Sequence, residues 1–249
     1  MQPTSELYNQ IYLSGNYYVE TRAIFIDTVN NTQYIVTEDD LTSVKTTKRV
    51  FKNNVPEVGC CISGEAYIEL FKPSFEIPLN AKIELQIRLV STQTNDISEW
   101  CMKGIYFIDT REETKNDDDV KIVSLHCYDS MMMANKPFSS TGISYPANAI
   151  TVVRYIASLM GVSVESGTAT KISSVNYKVQ TPIEYTRREV LGYIASMYLG
   201  NFIINDLGEL KLIGFNDIPP ETNLLIEENG WYITFYDSQT TGNYIRIMI

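Results

Sequence analysis

Between Ala81 and Val90, Ile83, Leu85, Ile87 and Leu89 alternate with Lys82, Glu84, Gln86 and Arg88. A period of two predicts a strand with one face buried and the other in water. Runs rich in β-branched and aromatic residues flank it. Tyr18 to Ile26 and Gln33 to Thr37 predict strands separated by the Asn30-Asn31 turn, and Glu65 to Phe71 predicts a strand ending at Pro73. Trp100 to Asp109 and Val120 to Tyr128 predict a further pair joined by a charged loop from Arg111 to Asp119. Several short strands divided by turn signals imply a barrel or a sandwich.

After Tyr128 the period changes. Ile150, Val153, Ile156, Ala157 and Met160 recur at helical spacing, and Gly161 is a natural stop. Thr186-Arg187-Arg188-Glu189 opens a second helix with a capping box, in which Thr186 accepts from the amide of residue 189 and Glu189 reaches back to the amide of residue 186. Val190, Leu191, Ile194, Ala195 and Tyr198 form its buried stripe, and Gly200 ends it. Phe202 to Ile204 and Leu210 to Ile213 flank Asn205-Asp206-Leu207-Gly208, a hairpin signal with Gly208 suited to a left-handed position. Trp231 to Tyr236 and Tyr244 to Ile249, around a Thr240 to Asn243 turn, predict strands again. The last of these is half apolar and needs a partner: an earlier sheet, or chain beyond Ile249.

Charge narrows the function. Lys and Arg total 20 against 30 Asp and Glu, a net charge of −10. That sign repels phosphate backbones and argues against specific nucleic-acid binding through a broad basic surface. No apolar run approaches the ~18 residues a spanning helix needs, so membrane insertion by this chain is not expected. The cysteines Cys60, Cys61, Cys101 and Cys127 show no Cys-x-x-Cys pair and read as buried thiols. Seventeen tyrosines suit strands and interfaces.

Candidate chemistry is sparse. His126, the one histidine, neighbours Cys127 on a predicted strand, where adjacent side chains point to opposite faces and cannot form a nucleophile–base pair. Asp117-Asp118-Asp119 lacks the spaced oxygens and turn glycine of a calcium loop and reads as a solvated hairpin tip. Met131-Met132-Met133 reads as flexible packing at a domain junction. Glycine-rich phosphate cradles are absent. The expectation is a non-enzymatic protein with no catalytic, cofactor-binding or metal residue and no cofactor.

Several segments, in order, resemble the baseplate or tail-tip hub proteins (the N-terminal hub region of tail-associated proteins) of tailed phages and prophages of Gram-positive bacteria. They are Tyr17 to Arg22 with Glu38-Asp39-Asp40-Leu41; Gly59 to Leu70 followed by Ile77-Pro78-Leu79-Asn80-Ala81-Lys82-Ile83; Ser98-Glu99-Trp100 with Lys103 to Asp109 and Cys127-Tyr128-Asp129-Ser130-Met131; and Thr186 to Ala195 with the Phe202 to Leu212 hairpin. The likeness covers most of residues 10–215. It implies an α+β, β-rich fold: a barrel-like tail-tube domain over 1–135 and a small domain of two helices plus a hairpin over 136–215. Strands over 216–249 would close the first domain or begin a second barrel, which fits an N-terminal fragment or a split hub.

The implied function is a structural ring of three copies linking the tail tube to the tip of a virion tail, assembled in the bacterial cytoplasm. Its partners would be other tail proteins: the distal tail ring, the tail tube and the tape measure. The alternatives are the hub of a phage-tail-like bacteriocin or contractile injection system, and the N-terminal module of a tail-associated cell-wall-degrading enzyme.

Overall fold

The computed structural model describes residues 4–51, 56–71, 73–115, 121–214, 223–227, 230–236 and 246–248. The chain divides into two compact units, residues 1–212 and 213–249.

The first unit begins with a helix that the apolar pattern does not announce, α1 (Glu6–Ser14). Ser5 caps it by accepting from the Tyr8 amide at 3.0 Å, and Gly15 ends it in the left-handed region. Seven strands follow: β1 (Tyr17–Asp27), β2 (Gln33–Val36), β3 (Leu41–Thr47), β4 (Glu65–Phe71), β5 (Ala81–Ser91), β6 (Cys101–Lys115) and β7 (Lys121–Tyr128). They form one antiparallel sheet in the order β2-β1-β5-β6-β7-β4-β3.

That order dictates the shape. β2 and β3 lie at opposite edges of the sheet yet are joined by only Thr37 to Asp40. Five Cα–Cα steps reach at most about 18 Å, at ~3.3–3.6 Å per step. A flat sheet of seven strands would hold its edges about 29 Å apart, at ~4.8 Å per strand spacing. The sheet therefore curls into a half-barrel. Its concave face is filled by Ala23, Phe25, Val36, Ile68, Leu70, Ile83, Leu85, Tyr106, Val123, Leu125 and Cys127, all buried. The segment between β4 and β5 ties across this interior. Phe75 stacks on Tyr34 of β2 at 4.4 Å, and the carbonyl of Ile77 accepts from Arg111 of β6 at 2.8 Å.

One bend is built into β6. The register slips between Leu85 and Gln86 of β5, leaving Lys103 as the extra residue before Gly104, whose φ is +151°. A Cβ on Gly104 would lie 2.4 Å from the ring of Tyr106, which folds back over it inside the barrel.

Charged residues Arg111 to Lys115 do not form the loop expected of them. β6 continues through them, and part of their charge is paired along the ladder: Glu113 takes Arg111 on its own strand and Lys121 across it at 3.0 Å. The aspartates at 117–119 lie outside the described residues.

The remaining part of the first unit packs around a second core. β8 (Ala147–Asn148) leads into α2 (Ala149–Met160), ended by Gly161 in the left-handed region. α3 (Ser166–Ser173) and β9 (Lys178–Val179) follow, then α4 (Arg187–Met197) and the hairpin β10 (Gly200–Ile204) and β11 (Leu210–Gly214). The capping box at Thr186 and Glu189 is present in both directions, at 3.2 Å and 2.7 Å. Gly208 adopts the left-handed conformation at the hairpin tip. The fold is thus α+β and strand-rich. The second unit contains an antiparallel meander of β12 (Asn223–Glu227), β13 (Gly230–Tyr236) and β14 (Arg246–Met248).

Gly104→Ala should lower stability by about 2 kcal/mol or more, combining a strained φ with overpacking of the Tyr106 ring. Urea unfolding checks this; an unchanged midpoint would show that the bend does not depend on glycine.

Candidate functional site

The outward face of the half-barrel is laid out by strand register. Lys45, Tyr67, His126 and Thr110 stand side by side across β3, β4, β7 and β6. The next row is Ser43, Glu69, Ser124 and Glu112; the row on the other side is Thr47, Glu65, Tyr128 and Phe107. His126 stacks on Tyr67 at 4.4 Å and tilts against Tyr128 at 4.7 Å. Its nitrogens lie 3.6 Å from Glu65 and 3.9 Å from Asp109, beyond hydrogen-bond reach. Beside this stack is a depression of about 390 Å³, lined by Ser43, Tyr67, Glu69, Thr110, Glu112, Ser124 and His126.

Cys127 points the other way, into the core, where burial pushes its thiol up to about 12. Cys61 is likewise buried and raised to about 12, and burial also raises Cys101. Thiols held protonated in this way are poor nucleophiles. The structure does not bring His126 together with any cysteine as a pair. Among the described residues, no group of three His, Cys, Asp or Glu side chains is placed to hold a metal ion.

The segment Ser98-Glu99-Trp100 has a structural account. Ser98 accepts from the Leu89 amide at 2.9 Å, and Glu99 accepts from the amide and hydroxyl of Ser5 at 2.6 and 2.5 Å, fixing the start of α1. These bonds hold the Glu99 carboxyl below its ordinary range. Trp100 carries two guanidinium groups over its ring, Arg22 at 4.2 Å and Arg88 at 4.6 Å. Arg22 also donates twice to Gln86, and Arg88 pairs with Glu20 at 2.5 Å.

The seam between the two cores holds the polar groups that the sequence reading did not single out by role. Asp129, almost fully buried at the end of β7, accepts from the amides of Gly64 at 2.7 Å and Met131 at 2.9 Å. The second bond caps the 3₁₀ turn Ser130–Asn135, which carries Met131 into the core of the helical part. Burial pushes the Asp129 carboxyl up to about 6. Arg188, from the first turn of α4, donates to the carbonyls of Cys61 and Met131 (the latter at 2.9 Å), to Asn135 at 2.7 Å and to Ser63 at 3.1 Å. One planar fork therefore joins the chain before β4 to the chain after β7. Below it two backbones touch: a Cβ on Gly192 of α4 would lie 2.6 Å from the carbonyl oxygen of Gly59. Beside that contact lies a second depression of about 540 Å³, lined in part by Glu57, Ile62, Glu189, Tyr193 and Ser196. The sequence signals for this seam were the methionine run read as packing at a domain junction, an aspartate directly after a strand and an arginine inside a capping box.

No protein-family model matches the sequence, and no curated protein matches it. Among solved structures, the chain is similar to the 43 kDa tail protein of prophage MuSo2 from Shewanella oneidensis, with a TM-score of 0.52 at 12% identity over 79% of this chain. It covers 56% of that protein, so it spans little more than half its length. A tail protein from Neisseria meningitidis MC58 gives a TM-score of 0.47 at 14% identity, covering 90% of this chain and 58% of that one. The PdpA–VgrG complex in its lidless form gives 0.49 at 8% identity, covering 94% and 46%. At 12% identity the Shewanella match establishes a shared fold.

Two outcomes follow from the seam. Arg188→Ala should cost about 3 kcal/mol, because it strips donors from several partners at once. Thermal or urea unfolding tests this. For Asp129 the folded pKa lies above the unfolded value, so its contribution to stability falls as pH rises from about 4 through about 6. Asp129→Asn removes that dependence. Relative to the native protein, the variant should gain roughly 1–3 kcal/mol between pH 4.5 and 7. A difference independent of pH would show a normally ionising carboxyl.

Proposed function

We propose that this chain is a structural hub component of a phage or prophage tail tip or baseplate, assembled as a ring of three between the tail tube and the tip. The observation that carries the reading is the fold shared with the Shewanella prophage tail protein. Residues 1–135 supply the barrel-like domain in this reading, residues 136–215 the helical domain, and residues 216–249 the strands of a further barrel or the closure of the first. The role is assembly rather than catalysis. Its partners are further copies and other tail proteins: the distal tail ring, the tube and the tape measure.

Two physical features support it. The half-barrel leaves β2 and β3 as edge strands, each paired on one side within the sheet, and unpaired edges favour contact with another chain. The excess of acidic over basic residues disfavours gripping DNA, as the wall of a conduit must.

Light scattering of the purified chain, with negative-stain microscopy, tests the reading. The expected result is a closed ring with three times the chain mass. A monomer at the highest reachable concentration, or peptidoglycan hydrolysis by the chain alone, would overturn it.

A further inference from the structure

Charge is divided unevenly along the first unit. Residues 1–135 contain twelve Lys and Arg against twenty Asp and Glu, whereas residues 136–212 contain seven against five. Of those seven, Arg187 and Arg188 are spent on internal carbonyls and Lys211 on Glu165. Lys136, Arg154 and Lys178 are exposed. The half-barrel therefore carries the negative excess, and the helical part offers projecting cations.

One structured negative feature of the half-barrel is the depression beside His126. Its floor is small, because Ser43 and Ser124 alternate with Glu69 and Glu112 along one row. Glu69 and Glu112 stand two strand spacings apart, roughly 10 Å, one on each side of Ser124. The stacked rings of Tyr67 and His126 form the wall on the adjoining row. Among the described residues neither Glu69 nor Glu112 has an ion-pair partner, and the nearby Arg111 and Lys121 are both committed to Glu113. Lys45 borders the row of Tyr67 at the β3 edge. A slot with a hydroxyl floor, an aromatic wall and a carboxylate on either side suits an extended cationic side chain: the stem lies against the rings and the head reaches a carboxylate. An anionic ligand would meet two carboxylates and is disfavoured.

We infer that this slot is a docking surface for a second copy of the same chain, taking a lysine or arginine that projects from its helical part. The inference rests on the ring reading above and specifies one of its contacts. A heterologous contact between two different surfaces of one chain, repeated around an axis, is what closes a ring rather than a two-fold dimer. Charge complementarity sets partner and register, while the aromatic wall supplies apolar area.

The test is carbodiimide coupling, which joins carboxylates to amines, on an equal mixture of ¹⁴N- and ¹⁵N-labelled chain. Mixed-isotope cross-links from Glu69 or Glu112 to Lys136 or Lys178 are expected. The outward-facing double variant E69Q/E112Q should keep its melting temperature and weaken self-association about tenfold at low salt, a difference that shrinks as salt rises. If the native chain assembles without forming those cross-links and the variant assembles equally well, this interface is wrong and the ring reading survives. A native chain that stays monomeric overturns both.

Discussion

Residues Thr37 to Asp40 must bridge the two edges of a seven-stranded sheet, and four residues can do so only if the sheet bends toward itself. The rest of the half-barrel is arranged around that bend. The concave side becomes too narrow for water and fills with Phe25, Leu70, Ile83 and Tyr106. The convex side carries the polar rows and Trp100 with its two guanidinium neighbours. Gly104 and the slipped register of β6 supply a point of sharp curvature, since a strand with a side chain there would push Tyr106 out of the interior.

The second constraint is the seam. A buried carboxylate and a half-buried guanidinium sit in it; the first is satisfied by backbone amides, the second by two backbone carbonyls and the side chains of Ser63 and Asn135. Asp129 fixes the start of the turn leaving β7; Arg188 fixes where that turn and the strand-like segment at Cys61 meet α4. Cys61 itself belongs to the core of the helical part, although it precedes β4 in sequence. The two cores are therefore coupled by chain that crosses between them three times: between β3 and Cys61, between Cys61 and β4, and between β7 and Met131.

Much of this was legible in the sequence where a period was long or a turn had its own chemistry. β5 was visible from its alternation, α2 from its spacing and glycine stop, α4 from its capping box, and the β10–β11 hairpin from Asn205 to Gly208. The elements that were not legible share a physical cause. α1 buries a single side chain, Ile11, so it has no apolar stripe to read. α3 buries only Thr168 and Ile172, and β3 is a sheet edge with no fully buried residue. Arg111 to Lys115 looked like a loop because ladder-paired charges and solvated charges have the same composition. The sequence paired His126 and Cys127 with opposite faces correctly, but Asp129 and Arg188 owe their roles to partners more than fifty residues away.

The strand-like pairing at Cys61 also sets an order of events during synthesis. The Gly59 amide donates to the Gly200 carbonyl, the Phe202 amide to the Cys60 carbonyl, and Asn201 receives the Cys60 amide at 2.7 Å. These partners are 141 residues apart for the Asn201 bond. At ~5–20 residues per second, a ribosome needs roughly 7–30 s to cover that distance. For that interval the segment leading into β4 has left the ribosome without the groups that hold it. A nascent half-barrel thus waits, incompletely anchored, for the last helix and hairpin of its own unit to arrive.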